Sequence, residues 1–170
     1  ISAAGAGKIR RYVESGGTVV IEGSSAQFDD TMGVCTVVPG NGLAELTGCT
    51  REDIRTMHHS MMPALRIDEL TIPTRMHKEI LRPAQGAEVI GRFATGEAAV
   101  VANHVGSGGT VYLGTNPFMA YATADNEPLR RWVMQLNAGI ERPAWTDAPD
   151  VLARVLHSGD TRILFVMNTT

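Results

Sequence analysis

The chain has 170 residues, 44% of them hydrophobic, with 15 Lys plus Arg against 18 Asp plus Glu and a net charge of −3. That is enough apolar material for one cored domain and the start of another, and it leaves no basic stripe for a nucleic-acid partner. No apolar run nears the roughly 20 residues of a membrane helix, and the first residues lack the pattern of a signal peptide.

The chain opens at Ile1 on a helical pattern and ends inside a β-rich stretch, which predicts an excerpt of a longer polypeptide. Its two cysteines, Cys35 and Cys49, are too few for a disulfide framework and predict reduced thiols in a cytoplasmic protein.

Residues 2–15 read as a helix, with Ile9, Tyr12 and Val13 at i, i+3 and i+4 and Gly16 and Gly17 as the stop. Residues 18–21 are continuously apolar and predict a strand covered on both faces of an α/β sheet. Residues 23–41 are irregular and predict a long surface loop carrying Asp29 and Asp30. A short helical turn follows over 42–48. Thr50 and Asp53 have capping-box spacing, which predicts a second short helix ending near His58.

Leu65, Ile67, Leu70 and Ile72 suggest short strands broken by Pro73, while residues 76–81 fit strand or helix equally well. From 87 to 114 three consecutive, mostly antiparallel strands are expected. The last two form a hairpin about the glycine-rich turn at 106–109, and Gly114 to Pro117 leaves the sheet as an exposed loop. Asp125 or Asn126 caps a helix with Leu129, Trp132, Val133 and Leu136 on one face, and Trp132 belongs in the core. Residues 141–149, with Pro143 and Pro149, read as a linker. A further hairpin over 150–170 reads as the start of a small all-β domain.

Reaction chemistry is sparse. Neither Gly-x-Ser-x-Gly nor Gly-x-Cys-x-Gly occurs, so Cys35 and Cys49 read as inert thiols and a thiol-dependent hydrolase or amidotransferase is the weakest reading. His58 and His59 are adjacent and point apart on a helix, and no metal-ligand spacing is present, so neither metal nor cofactor is expected. Glu22, Asp29 and Asp30 follow the first strand at the edge where open sheets bind ligands, but they read first as a solvated acidic loop. No lysine or helix follows the turn at 106–109 to make it a phosphate cradle.

Three stretches, residues 11–20, 42–48 and 97–118, recur in this order in one family. They resemble the middle, trimerisation domain of the β-galactosidases of glycoside hydrolase family 42. The resemblance covers about residues 1–140, and 150–170 is similar to the first hairpin of the small β-domain that ends those enzymes. It implies a flavodoxin-like, class I glutamine-amidotransferase-like open sheet whose first strands precede Ile1, with the antiparallel hairpin as an extension. It implies a catalytic glutamate pair in an upstream TIM barrel, no catalytic residue here, and a homotrimer in which this domain helps wall a neighbour's active site. The segment 51–83 departs from the family.

The leading expectation is therefore a non-catalytic assembly domain. Its candidate interface or neighbour-site residues are Asp29, Asp30, Met57, Met61, Met62, Asn116 and Phe118, with Met76 beside them, since methionine adapts to irregular contacts. The alternative is a stand-alone sugar or small-molecule binding module using the edge after Ile21, with Trp145 as a stacking platform.

Overall fold

A computed structural model of the protein describes residues 1–58, 61–62, 64–122, 126–139, 144, 146, 148 and 151–168. The chain divides into two compact units, Ile1–Trp132 and Val133–Thr170. Trp145 and most of the segment 141–149 lie outside the described residues.

The first unit is a mixed α/β structure. Helix α1 (Ala3–Glu14) starts where Ser2 Oγ accepts the Gly5 N–H, and strand β1 (Thr18–Glu22) follows. The predicted turn at 42–48 is α2 (Leu43–Thr47), held between Gly42 and Gly48 at φ 78° and 66°. Five strands come next: β2 (Cys49–Thr56), β3 (Leu65–Ile67), β4 (Leu70–Ile72), β5 (His77–Pro83) and β6 (Glu88–Phe93). The hairpin strands β7 (Ala98–Val105) and β8 (Gly108–Leu113) then lead to the short helix α3 (Pro117–Tyr121) and to α4 (Glu127–Leu136).

Six strands form one sheet in the order β1-β8-β7-β6-β3-β4. Only β1 and β8 run parallel, with Thr18 beside Gly109 and Glu22 beside Leu113; the other pairs are antiparallel. The three strands expected over 87–114 are thus β6, β7 and β8. The hairpin is tighter than expected, because Gly108 and Gly109 belong to β8 and only Gly106 and Ser107 make the turn. At Gly108 a side chain would collide with the carbonyls of Val13 and Gly17, so glycine lets α1 close onto the sheet.

Register alternation places Val19, Ile21, Val101, Thr110 and Tyr112 on one face. Toward one end of that face α1 and α2 supply Ala6, Val13, Leu43 and Leu46. Toward the other, Cys49 of β2 and Leu81 of β5 pack on Ile21, Val101 and Tyr112. Strand β1 was expected to be covered on both faces. Its register puts Thr18, Val20 and Glu22 on the opposite face, where Thr18 is exposed and the other two are half-buried.

The region expected as a second short helix is strand β2 instead. It pairs antiparallel with β5, from Cys49 beside Pro83 to Thr56 beside His77, with an irregularity between Arg51 and Asp53. Asp53 accepts no N–H three residues away; its carboxylate bonds the Ile54 N–H and Arg55. Tertiary pairing overrides a local capping signal.

Asn126 caps α4, accepting the Leu129 N–H at 3.2 Å, and Trp132 is buried. Asp125 lies outside the described residues. In the second unit β9 (Val151–Ser158) and β10 (Thr161–Asn168) form the expected hairpin, with Thr161 beside Ser158. Among the described residues no helix is long and apolar enough to cross a membrane.

Candidate functional site

The parallel strands β1 and β8 end together, and the chain leaves both at one edge of the sheet. Three contacts lock the exits. Gly23 N–H donates to Thr115 O at 3.3 Å, Asn116 Nδ2 donates to Gly23 O at 3.3 Å, and Phe118 N–H donates to Glu22 Oε1 at 2.8 Å. Burial raises the Glu22 carboxyl above its ordinary value, and the Phe118 N–H partly offsets this. Open α/β sheets bind ligands at this edge.

Beneath it sits a carboxylate that sequence reasoning missed. Glu79, in the middle of β5, is fully buried. Its Oε1 accepts Ser24 N–H at 2.8 Å, Ser24 Oγ at 3.1 Å and Arg51 Nη1 at 3.3 Å; its Oε2 accepts Tyr112 Oη at 2.9 Å. Glu79 N–H donates to Gly114 O at 2.7 Å. Four donors and no solvent access leave it nothing to offer a substrate, so it is a structural hub joining β1, β2, β5 and β8. Burial first, then the Glu79 charge, pushes the Tyr112 hydroxyl upward and keeps it a donor. Burial likewise pushes the Cys49 thiol up to about 12, which keeps it protonated and unreactive at neutral pH.

The loop after β1 is ordered by its own hydrogen bonds. Asp29 N–H donates to Gly33 O at 2.8 Å and Cys35 N–H to Gln27 O at 2.9 Å, so 27–29 and 33–35 lie side by side as a small arm. Asp29 Oδ1 accepts Thr31 N–H, Thr31 Oγ1 and Gly33 N–H, all at 2.8 Å, and these bonds hold its carboxyl below the ordinary range. Asp30 accepts Ala3 N–H at 3.1 Å, a carboxylate at a helix N-terminus where the exposed N–H groups favour it. Gln27 Oε1 takes a 2.8 Å bond from Arg51, tying the arm to β2.

The residues expected at an interface are therefore dispersed. Asp29 and Asp30 brace the arm. Met57 is half-buried, with its N–H on Met76 O at 3.3 Å; Met61 is exposed, Met62 is half-buried, and Met76 is exposed. Asn116 and Phe118 lie at the sheet edge, with the Phe118 side chain exposed. Four exposed apolar side chains on the arm and its continuation, Phe28, Met32, Val34 and Val37, escaped the sequence reading. The available signal was apolar residues recurring in a segment otherwise rich in turn formers. Among the described residues, no three His, Cys, Asp or Glu side chains converge to hold a metal ion.

A mixed sheet backed by helices and a small second sheet, its carboxyl edge tied by hydrogen bonds between the two strand exits, defines an α/β domain. Solved β-galactosidases contain the same fold. The enzyme from Bacillus circulans sp. alkalophilus superposes with a TM-score of 0.78 at 19% identity, over 99% of this chain and 25% of that one. Gan42B from G. stearothermophilus gives 0.79 at 18%, over 100% and 25%. The enzyme from the haloarchaeon Halorubrum lacusprofundi gives 0.70 at 22%, over 100% and 24%. The chain thus spans about a quarter of the length of these proteins. A search of curated proteins gave no match. Residues 1–136 match the family described as the beta-galactosidase trimerisation domain, and the chain belongs to that family.

Proposed function

We propose that this chain is the non-catalytic assembly domain of a longer β-galactosidase-type glycoside hydrolase. It holds copies of that enzyme together as a homotrimer, while the catalytic glutamates lie in a TIM barrel earlier in the same polypeptide. The observation that carries this reading is the family match over 136 of the 170 residues. The closed site geometry supports it: the best-buried carboxylate, Glu79, is saturated with donors, and Cys49 is a protonated core thiol.

The parallel β1/β8 pair fits the finer reading of a flavodoxin-like, amidotransferase-like open sheet, and the β9/β10 hairpin fits the start of a small β-domain. The two free cysteines suit a reducing cytoplasm. The test is the mass of the full-length enzyme by multi-angle light scattering. Three times the chain mass at micromolar concentration is expected; a monomer overturns the reading.

A further inference from the structure

We propose that the arm at residues 27–37 is a self-docking element, whose apolar side chains pack against a second copy of the full-length enzyme. The inference rests on the assembly reading above and names the surface that would carry it.

The first observation is exposure. Met32 is 75% exposed, Val34 67%, Val37 51% and Phe28 41%. Phe28 and Val34 are antiparallel bridge partners, so their side chains adjoin, and Met32 sits at the turn between them. Together these four residues expose on the order of 400 Å², about half of one partner's share of a standard interface.

The second observation is rigidity. Asp29 ties down the turn, Asp30 ties it to α1, Gln27 ties it to Arg51, and Arg51 N–H donates to Val38 O at 2.7 Å. Asn41 Nδ2 adds a 2.6 Å bond to Ile1 O. Four non-glycine residues in or beside the arm, Ser24, Ala26, Met32 and Asn41, are held at φ between 53° and 66°. Such conformations cost energy and persist only where the surroundings impose them. Here they hold an apolar tip out of the domain's own core, and a preorganised tip loses little entropy on docking.

The third observation selects the occupant. A small ligand seated in the hollow beside the arm would leave Val34 and Val37, which do not line it, in water. Asp29 and Asp30 at its turn oppose anionic lipid and nucleic acid. What remains is an apolar protein surface, and this chain belongs to a family described by its trimerisation. The hollow, of about 390 Å³, is lined by Phe28 and Met32 together with Ile1, Gln27, Asp29 and Asp30, and would receive a side chain from the neighbour.

The test uses the full-length enzyme with Met32→Asp and Val34→Asp together, followed by sedimentation velocity across a concentration series. None of the anchoring bonds above uses either side chain. The variant is expected to dissociate at a concentration at least tenfold above that of the unsubstituted enzyme, with an unchanged circular dichroism spectrum. Met32→Ser with Val34→Ser, which adds no charge, is expected to weaken assembly in the same direction and replaces the aspartate pair if that pair misfolds. An unchanged mass and dissociation point overturns the proposal. So does a lowered melting temperature with unchanged assembly, which means that the arm packs on its own polypeptide. If the unsubstituted enzyme is itself monomeric, the assembly reading fails first and this inference falls with it.

Discussion

Glu79 shows how a buried charge can organise a domain without doing chemistry. It draws donors from three segments distant in sequence: Ser24 after β1, Arg51 on β2 and Tyr112 on β8. The Arg51 side chain is itself nearly covered, so the ion pair has little water to fall back on. Removing one partner of such a pair costs more than the pair is worth, because the other stays buried and uncompensated. Glu79→Ala is expected to destabilise the domain by about 3–5 kcal/mol, leaving Arg51 without its counter-ion and the Tyr112 hydroxyl without its acceptor. Glu79→Gln keeps the shape and one acceptor oxygen and is expected to cost roughly 1–3 kcal/mol. Urea denaturation of the two variants checks both values. Equal stability of Glu79→Ala and the unsubstituted protein would mean that the hub contributes nothing net.

The caps of α4 and the pairing of β2 mark the two ends of what the chain reveals by itself. The N-terminus of α4 is set locally: Asn126 accepts the Leu129 N–H, and its amide also donates to Pro73 O at 3.3 Å after β4. Asn126→Ala is expected to cost about 1–2 kcal/mol, with Asn126→Asp regaining the cap but not the Pro73 bond; thermal unfolding of the two variants separates these shares. Helices α1 and α4 and the β7/β8 hairpin were legible because periodicity, a cap or a two-residue turn decides each within a few residues. Strand β2 was not, because its partner β5 begins at His77 and nothing near Thr50 announces it. Strand β5 was itself ambiguous because Lys78 and Glu79 are buried charges in its middle, which breaks the usual alternation of apolar and polar. The apolar side chains of the loop after β1 went unread for a related reason. Acidic residues in the loop drew attention as functional groups, whereas Asp29 and Asp30 are spent on local N–H bonds and the exposed side chains are apolar.

The response of the whole fold to acid follows from carboxylates pulling in opposite directions. The hydrogen bond from Lys78 at 2.6 Å, helped by Thr95, holds the Glu97 carboxyl down to about 2 from an ordinary 4.5. The folded state therefore refuses a proton that the unfolded chain accepts, so Glu97 stabilises the fold above about pH 4.5 and that contribution drains away as pH falls toward 2. Lys78 is buried against the Phe93 ring, 5.3 Å from its centroid, which makes the pair part of the β5–β6 packing rather than a loose surface contact. Glu22 has the reverse sign. Its raised carboxyl favours the proton in the folded state, so its charge costs stability as pH rises above the ordinary 4.5. Glu97→Gln is expected to shrink the fall in melting temperature between pH 5 and pH 3, because the group that loses its ionised form is gone. Glu22→Gln is expected to raise the melting temperature at pH 7 and leave it unchanged at pH 3, since glutamine mimics the protonated acid and can still accept the Phe118 N–H. Melting curves of both variants from pH 3 to pH 7 decide the matter. A Glu97→Gln profile that overlays the unsubstituted one would show that acid lability arises elsewhere, and a Glu22→Gln profile that falls at pH 7 would show that the Phe118 bond needs the full charge.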